Sequence, residues 1–334
     1  MHVHWLAPVS LDDPRQVYQT DWASLRLRTG ALVSLADAHL TVSIGEHMPA
    51  HTEVCVVGKI GAHHTPQKQT DWLKKIFKFD RPVVLDYTDD HIHHQTVMSD
   101  FYRVALERVD QVVCASHQLQ KSLESIYSKR IDVIADAVEY QPQQPQNIPN
   151  HPRRLLWFGH HTNIAALQRF LHTFDPPMPV EVLVLSTEQG RQMLQTGAAP
   201  QSSSVRLLFK PWSIEEVPKA AMQCDACIIP VDDSNPAKKG ASSNRLLTAL
   251  TLGLPTCADL IPSYLELRDF VTDLRSQQLD QVIMNPQSQH SQIKLAQQHI
   301  AQHFSFQSLG RKWQDSLEKL NANHPPHSTP TPQA

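Results

Sequence analysis

Short apolar runs alternate with longer stretches whose apolar residues recur every three or four positions. Residues 2–7, 41–44, 53–59, 82–87, 111–115 and 131–135 read as strands. The runs EVCVVGK and PVVLDY are apolar enough for burial on both faces. Residues 21–38, 69–79 and 95–109, and a run from Ser116 to about 128, read as helices between them. Asp21 and Ser116 stand at N-cap positions, and Trp72, Leu73, Ile76 and Phe77 share one helical side. Repeated βα units of this length predict a parallel sheet with helices on both faces.

The pattern breaks over residues 140–153, YQPQQPQNIPNHPR, where four prolines and no periodicity predict a domain boundary. It then resumes. Strands are expected at 154–158, 179–185, 205–209, 227–231 and 256–258, and helices at 164–174 and 214–222. A last helical region, 288–320, is interrupted near Phe304-Ser305, and the proline-rich end, 322–334, is expected to lack order. The fold class is therefore α/β, two Rossmann-like doubly wound domains, over 1–140 and 154–300, with 141–153 as linker.

Composition narrows the partners. The 334 residues are 41% hydrophobic and 19% charged, enough for two cores, and the formal charge of −3 gives no general case for nucleic acid. No apolar run approaches the ~20 residues of a membrane span, and the start, MHVHWLAPVS, lacks the features of a signal peptide. Five scattered cysteines make no disulfide framework and fit a reducing cytoplasm. Cys224 and Cys227 form a CxxC at the entry to a core strand, and buried thiols are the better reading than a redox or metal site. The 20 histidines include the pairs His63-His64, His93-His94 and His160-His161, without cysteine or carboxylate partners at metal-ligand spacing.

The richest chemistry lies in residues 224–266. A buried strand is followed by a loop with Lys238 and Lys239, then Ser242, Ser243, Asn244 and Arg245 at the start of the helical run LLTALTL. Gly253 is placed to end that helix, and Pro255 prevents its continuation. Three cations leading into a helix N-terminus make a good place for a diphosphate. Gly159, directly after the first strand of the second half, would let backbone approach the same ligand, although one glycine is no dinucleotide fingerprint. Trp212 could stack on a nucleotide base or simply pack a strand–helix joint.

In the first half, residues 86–91 (DYTDDH) follow a strand, and Asp90 and His91 are the candidates to accept a proton from an attacking hydroxyl; the alternative is a polar loop that caps the next helix. Arg26 and Arg28 could reach an anion or belong to a solvated helix face.

The stretch KKGASSNRLLTALTLGLPTCADLIPSYLEL resembles the donor-binding segment of GT-B glycosyltransferases of the group related to families 1 and 4, many of whose bacterial members carry K-x-S-x-N-R, a helix and G-x-P here, followed by a Tyr and a Glu. VVLDYTDDH, VVCASHQLQKSLES and IDVIADAVE resemble parts of the acceptor domain of those enzymes. The resemblance implies two domains facing a cleft, with Lys239 and Arg245 on one wall and the 86–91 loop on the other. It implies a helix over 301–321 that crosses back to the first domain, and donor contacts from Gly159, Trp212, Lys238, Lys239, Ser242, Ser243, Asn244, Arg245 and Glu266. Gly240 and Thr248 stand where retaining family-4 enzymes usually place two glutamates. No D-x-D metal motif is present.

The expected activity is metal-independent transfer of a sugar from a nucleotide sugar, UDP- or GDP-linked, to a hydroxyl of a polysaccharide, glycolipid or protein glycan. No cofactor is expected, and peripheral membrane association is left open. The alternative is a degenerate GT-B protein that holds a nucleotide or a partner without turnover.

Overall fold

The structure is a computed structural model. It describes residues 1–61, 64–94, 96–146, 152–197, 200–232, 235–276 and 278–324. His63, Asp233, residues 147–151 of the expected linker and the terminal stretch 325–334 lie outside the described residues. The chain divides into two compact units, one of residues 1–137 and 305–334, the other of residues 138–304.

The first unit is built on a six-stranded parallel sheet: β1 (His2–Leu6), β2 (Thr41–Gly45), β3 (Val54–Val57), β4 (Val83–Tyr87), β5 (Gln111–Cys114) and β6 (Arg130–Val133), in the order β2-β1-β3-β4-β5-β6. Alternate residues feed two cores. Val3, Trp5, Val54 and Val56 belong to one, and Leu6, Cys55 and Val57 to the other. The first core is closed by the helix Phe306–Ala322, whose Leu309, Trp313, Leu317 and Leu320 recur at helical spacing on one side. The Trp5 and Trp313 rings meet edge to face, 5.1 Å between centroids. Gly310 lets this helix come close to its neighbour, because a Cβ there would lie 2.3 Å from the Ala31 carbonyl oxygen.

Two helices differ from expectation. Instead of one helix over 21–38, a 3₁₀ turn (Pro14–Gln19) is followed by a π-helical turn (Leu25–Thr29) that continues as an α-helix over Gly30–Val33. Arg26 and Arg28 are consequently buried, 1% and 0% exposed, so the solvated-face reading is wrong. The helix expected from 95 begins at Ser99, whose Oγ, within hydrogen-bond reach of the carbonyls of both His91 and His94, ties down the preceding loop.

The second unit has its own parallel sheet: β7 (Arg153–Phe158), β8 (Val180–Ser186), β9 (Val205–Pro211), β10 (Ala226–Ile229), β11 (Thr256–Ala258) and β12 (Thr272–Asp273). Its order, β12-β11-β10-β7-β8-β9, reverses between β7 and β10. The helix Asn244–Thr251 follows β10, and Gly253 ends it with φ +79°. A Cβ on Gly253 would also lie 2.7 Å from the Gln143 carbonyl oxygen. The stretch after Ala137 lies along this unit, with Gln143 N–H donating to Thr251 O and Tyr140 Oη to Ile214 O. Cys224 and Cys227 are buried free thiols, held protonated by burial. Among the described residues, no helix is long and apolar enough to cross a membrane.

Candidate functional site

Ligands of open parallel sheets lie beyond the carboxyl ends of the strands, where the strand order reverses. In the second unit that point lies between β7 and β10, and both following loops carry the expected residues. Gly159 follows β7. Its N–H donates to Leu185 O and its carbonyl accepts from Ser186 Oγ, which fixes the backbone without a side chain. A Cβ on Gly159 would lie 3.3 Å from the Trp157 ring and 3.5 Å from Arg245 Nη1.

Arg245 comes from the first turn of the helix Asn244–Thr251. Its Nη1 is buried and has no hydrogen-bond partner among the described residues, and the same holds for Trp157 Nε1. Lys238, in the 3₁₀ turn Pro236–Gly240, donates from Nζ to Asn163 Oδ1 at 3.1 Å. Asn163 occupies the N-cap position of the helix Ile164–Thr173, so this bond joins the loop after β10 to the loop after β7. Ser242 Oγ accepts from the Asn244 amide. Ser243 occupies the N-cap and is buried, but its side chain makes no capping bond. Ser263 Oγ donates to Ala241 O and braces the loop from the far side.

Asp232 pairs with Arg169 at 3.0 Å, while Asp259 accepts from the Val231 amide and from Arg275 Nε. Lys239 is exposed. Trp212 is half-buried just past β9, two strands out from β7, and Glu266 is exposed on the 3₁₀ stretch Pro262–Phe270. The geometry thus gathers Gly159, Lys238 and Arg245, and adds Asn163, which stands in GHHTN without a motif to single it out.

In the first unit the order reverses between β1 and β3. A small pocket lies there, lined by Trp5, Pro8, Trp22, Ser24, Gly58, Lys59 and Asp86 among others. Asp86 closes a buried ion network. Its Oδ1 lies 2.6 Å from Arg28 Nε, and Arg28 Nη1 reaches Ile134 O and Asp136 Oδ1. Burial raises the Asp86 carboxyl to about 6, with Arg28 opposing the rise. Lys59 pairs with Asp89.

Asp90 and His91 follow β4 and differ in availability. Asp90 Oδ1 accepts from Tyr87 Oη at 2.9 Å and faces His93 Nδ1 at 3.0 Å. Burial opposes ionisation of Asp90, but the bonds from His93 and Tyr87 prevail and hold its carboxyl below the usual range. His91 stacks on Tyr102 at 5.0 Å, and its Nδ1 meets Thr96 Oγ1. Burial lowers its pKa, and its Nε2 is buried without a partner among the described residues.

No family model matches the sequence, and no characterised protein matches it by sequence. Solved structures do match by fold. HepE from Anabaena, solved with UDP-glucose, is 15% identical with a TM-score of 0.59, over 96% of this chain and 100% of that one. Sucrose-phosphate synthase from Thermosynechococcus elongatus is 10% identical with a TM-score of 0.64, over 96% and 99%. An alpha-glucosyltransferase solved with UDP is 8% identical with a TM-score of 0.58, over 95% and 99%. With its two six-stranded parallel sheets, the chain has the fold of the GT-B glycosyltransferases.

Proposed function

We propose that this chain transfers a sugar from a nucleotide-sugar donor to a hydroxyl acceptor, without a metal. The observation that carries the reading is the buried, unpartnered Nη1 of Arg245 beside Gly159, where the strand order reverses. A buried guanidinium N–H is costly to leave unsatisfied, and a phosphate oxygen is its natural acceptor. In this reading Arg245, Lys238 and Lys239, with Ser242, Ser243 and the Asn244 end of the helix, take the charge of the leaving diphosphate. Gly159 makes room for it, Trp212 packs on the base, and Glu266 meets the sugar or ribose. His91 Nε2 accepts the proton of the attacking hydroxyl, while Asp90 holds the loop. Structural neighbours solved with UDP or UDP-glucose support a uridine donor.

A second reading, nucleotide binding without turnover, is favoured by one observation. Gly240 and Thr248, which stand at the two glutamate positions of the retaining pattern, are buried and bring no carboxylate.

The test is thermal stabilisation by UDP-, GDP-, dTDP- and CMP-sugars in EDTA, with free nucleotide monitored. One donor should stabilise the protein and be slowly hydrolysed. Stabilisation without release, even with acceptors supplied, selects the second reading. Release only on adding a divalent metal refutes metal independence, and no stabilisation by any nucleotide sugar refutes both readings.

A further inference from the structure

We infer that His299 and His303 chelate one divalent cation of the zinc, copper or nickel class on the last turns of the helix His290–His303. The inference is independent of the transferase reading.

Residues four apart stand one above the other on a helix. The two imidazole rings meet at 4.6 Å between centroids. A metal–nitrogen bond of about 2.0–2.1 Å is lengthened by ~1.1 Å from nitrogen to ring centre. Two rings on one metal therefore stand about 4.5–5.2 Å apart for bond angles of about 90–110°. The observed spacing already lies in that range. His303 is exposed and His299 half-buried, so a cation can enter from solvent.

Among the described residues, two further histidine pairs make ring contact, and neither is suited to share a metal. In the pair His2 and His51, both ring nitrogens of His2 face hydroxyls, those of Thr41 and Ser43. His160 and His161 are only 3.8 Å apart, and each Nδ1 faces a threonine hydroxyl. By contrast, no ring nitrogen of His299 or His303 has a hydrogen bond among the described residues.

The surroundings favour a bound cation. Burial and the neighbouring His303 lower the pKa of His299, which keeps its ring in the neutral form that a metal requires. The Phe270 ring, 5.3 Å away, holds the His299 ring from the side. His303 is the last residue of the helix, where the carbonyl end of the dipole attracts positive charge. No group of three or more His, Cys, Asp or Glu positioned to hold a metal occurs among the described residues, so water would fill the remaining positions. Two imidazoles without a carboxylate select zinc, copper or nickel over magnesium or calcium, which prefer oxygen ligands.

The next residue gives the site its consequence. Phe304 ends the second unit, and its carbonyl accepts from the amide of Val138, which begins it. A cation that ties the last two turns of the helix would brace the place where the two ends of this unit meet.

The test is calorimetric titration of the full chain, carrying no histidine tag and no nucleotide, with zinc, copper and nickel chlorides and with magnesium chloride as control. At least one of the first three should bind with one equivalent that both His299→Gln and His303→Gln weaken by at least about tenfold, because neither ligand then places the other. The double variant should be no worse than either single one. His303→Gln combined with Ala301→His keeps the number of histidines but moves one off the shared face, and should not restore binding. Lowering the pH from about 7.5 to about 5.5 should weaken binding as protons compete for the rings. The same metal should raise the melting temperature of the wild type more than that of the variants. His303→Gln changes an exposed side chain and is the decisive variant if His299→Gln disturbs the packing on Phe270. The inference is overturned if none of the three metals binds more tightly than to the double variant, if His303→Gln keeps full affinity, if the Ala301→His combination restores it, or if magnesium binds equally well.

Discussion

Arg245 Nη1 lies 3.5 Å from the point where a side chain on Gly159 would begin. The two residues follow different strands, β7 and β10, and on the proposed reading their approach shapes the space for a donor. Gly159 has no positive φ, so alanine is conformationally permitted there. Gly159→Ala should therefore leave the melting temperature nearly unchanged while weakening donor binding about tenfold or more. Calorimetry and nucleotide titration on the same preparation check this. Equal losses of stability and affinity would show that the glycine serves packing alone.

Arg245→Ala should lower turnover by ~10²–10³, the scale of removing one preorganised donor from a developing anion. Asn163→Ala should act more weakly and indirectly, by releasing Lys238 from its 3.1 Å bond. Its effect should appear mainly in KM for the donor. Steady-state kinetics of both variants separate these roles.

His4 provides a pH test in the first unit. It is 1% exposed, with Nδ1 bonded to Ser43 Oγ and Nε2 to Gly45 O. Burial lowers its pKa from 6.5 to about 4, so the fold favours the neutral ring. The linked stability is present above about 6.5 and is lost as pH falls toward 4, reaching about 3 kcal/mol as an order of magnitude. Urea denaturation of wild type and His4→Gln at several pH values should show a difference that shrinks over that window. A difference independent of pH would refute the assignment.

Gly310→Ala sets two effects against each other. Alanine gains about 1 kcal/mol in helix propensity over glycine. Its Cβ would meet the Ala31 carbonyl oxygen at 2.3 Å, and that backbone belongs to a packed helix. Overpacking typically costs ~1–3 kcal/mol, so the variant should be less stable, with a lower melting temperature by circular dichroism.

The parallel sheets were legible because both-face burial leaves a plain mark, as in EVCVVGK and PVVLDY. Gly253 was legible because a glycine before proline after a helical run has one common use, and its φ of +79° shows that use. The Arg26 and Arg28 segment was not. Local pattern cannot show that Arg28 meets Asp86, 58 residues away, and Asp136, 108 residues away. Lys238 and Arg245 stood out as cations before a helix, whereas Asn163 gains meaning only through a contact 75 residues distant. Asp90 and His91 looked equivalent as neighbours. Their difference lies in the hydroxyl of Tyr87 and the ring of Tyr102, which sequence does not position.

The first unit is assembled from both ends of the chain, with residues 138–304 between them. Synthesis on the ribosome therefore delivers the pieces out of step. The whole of the second unit can emerge and fold while Trp5, Val54 and Val56 still await Leu309, Trp313 and Leu317. An unfinished chain halted before that helix would carry a complete second unit and a first unit with one sheet face uncovered. The turns of that helix are the ones that shield this face from chaperones, proteases and other nascent chains.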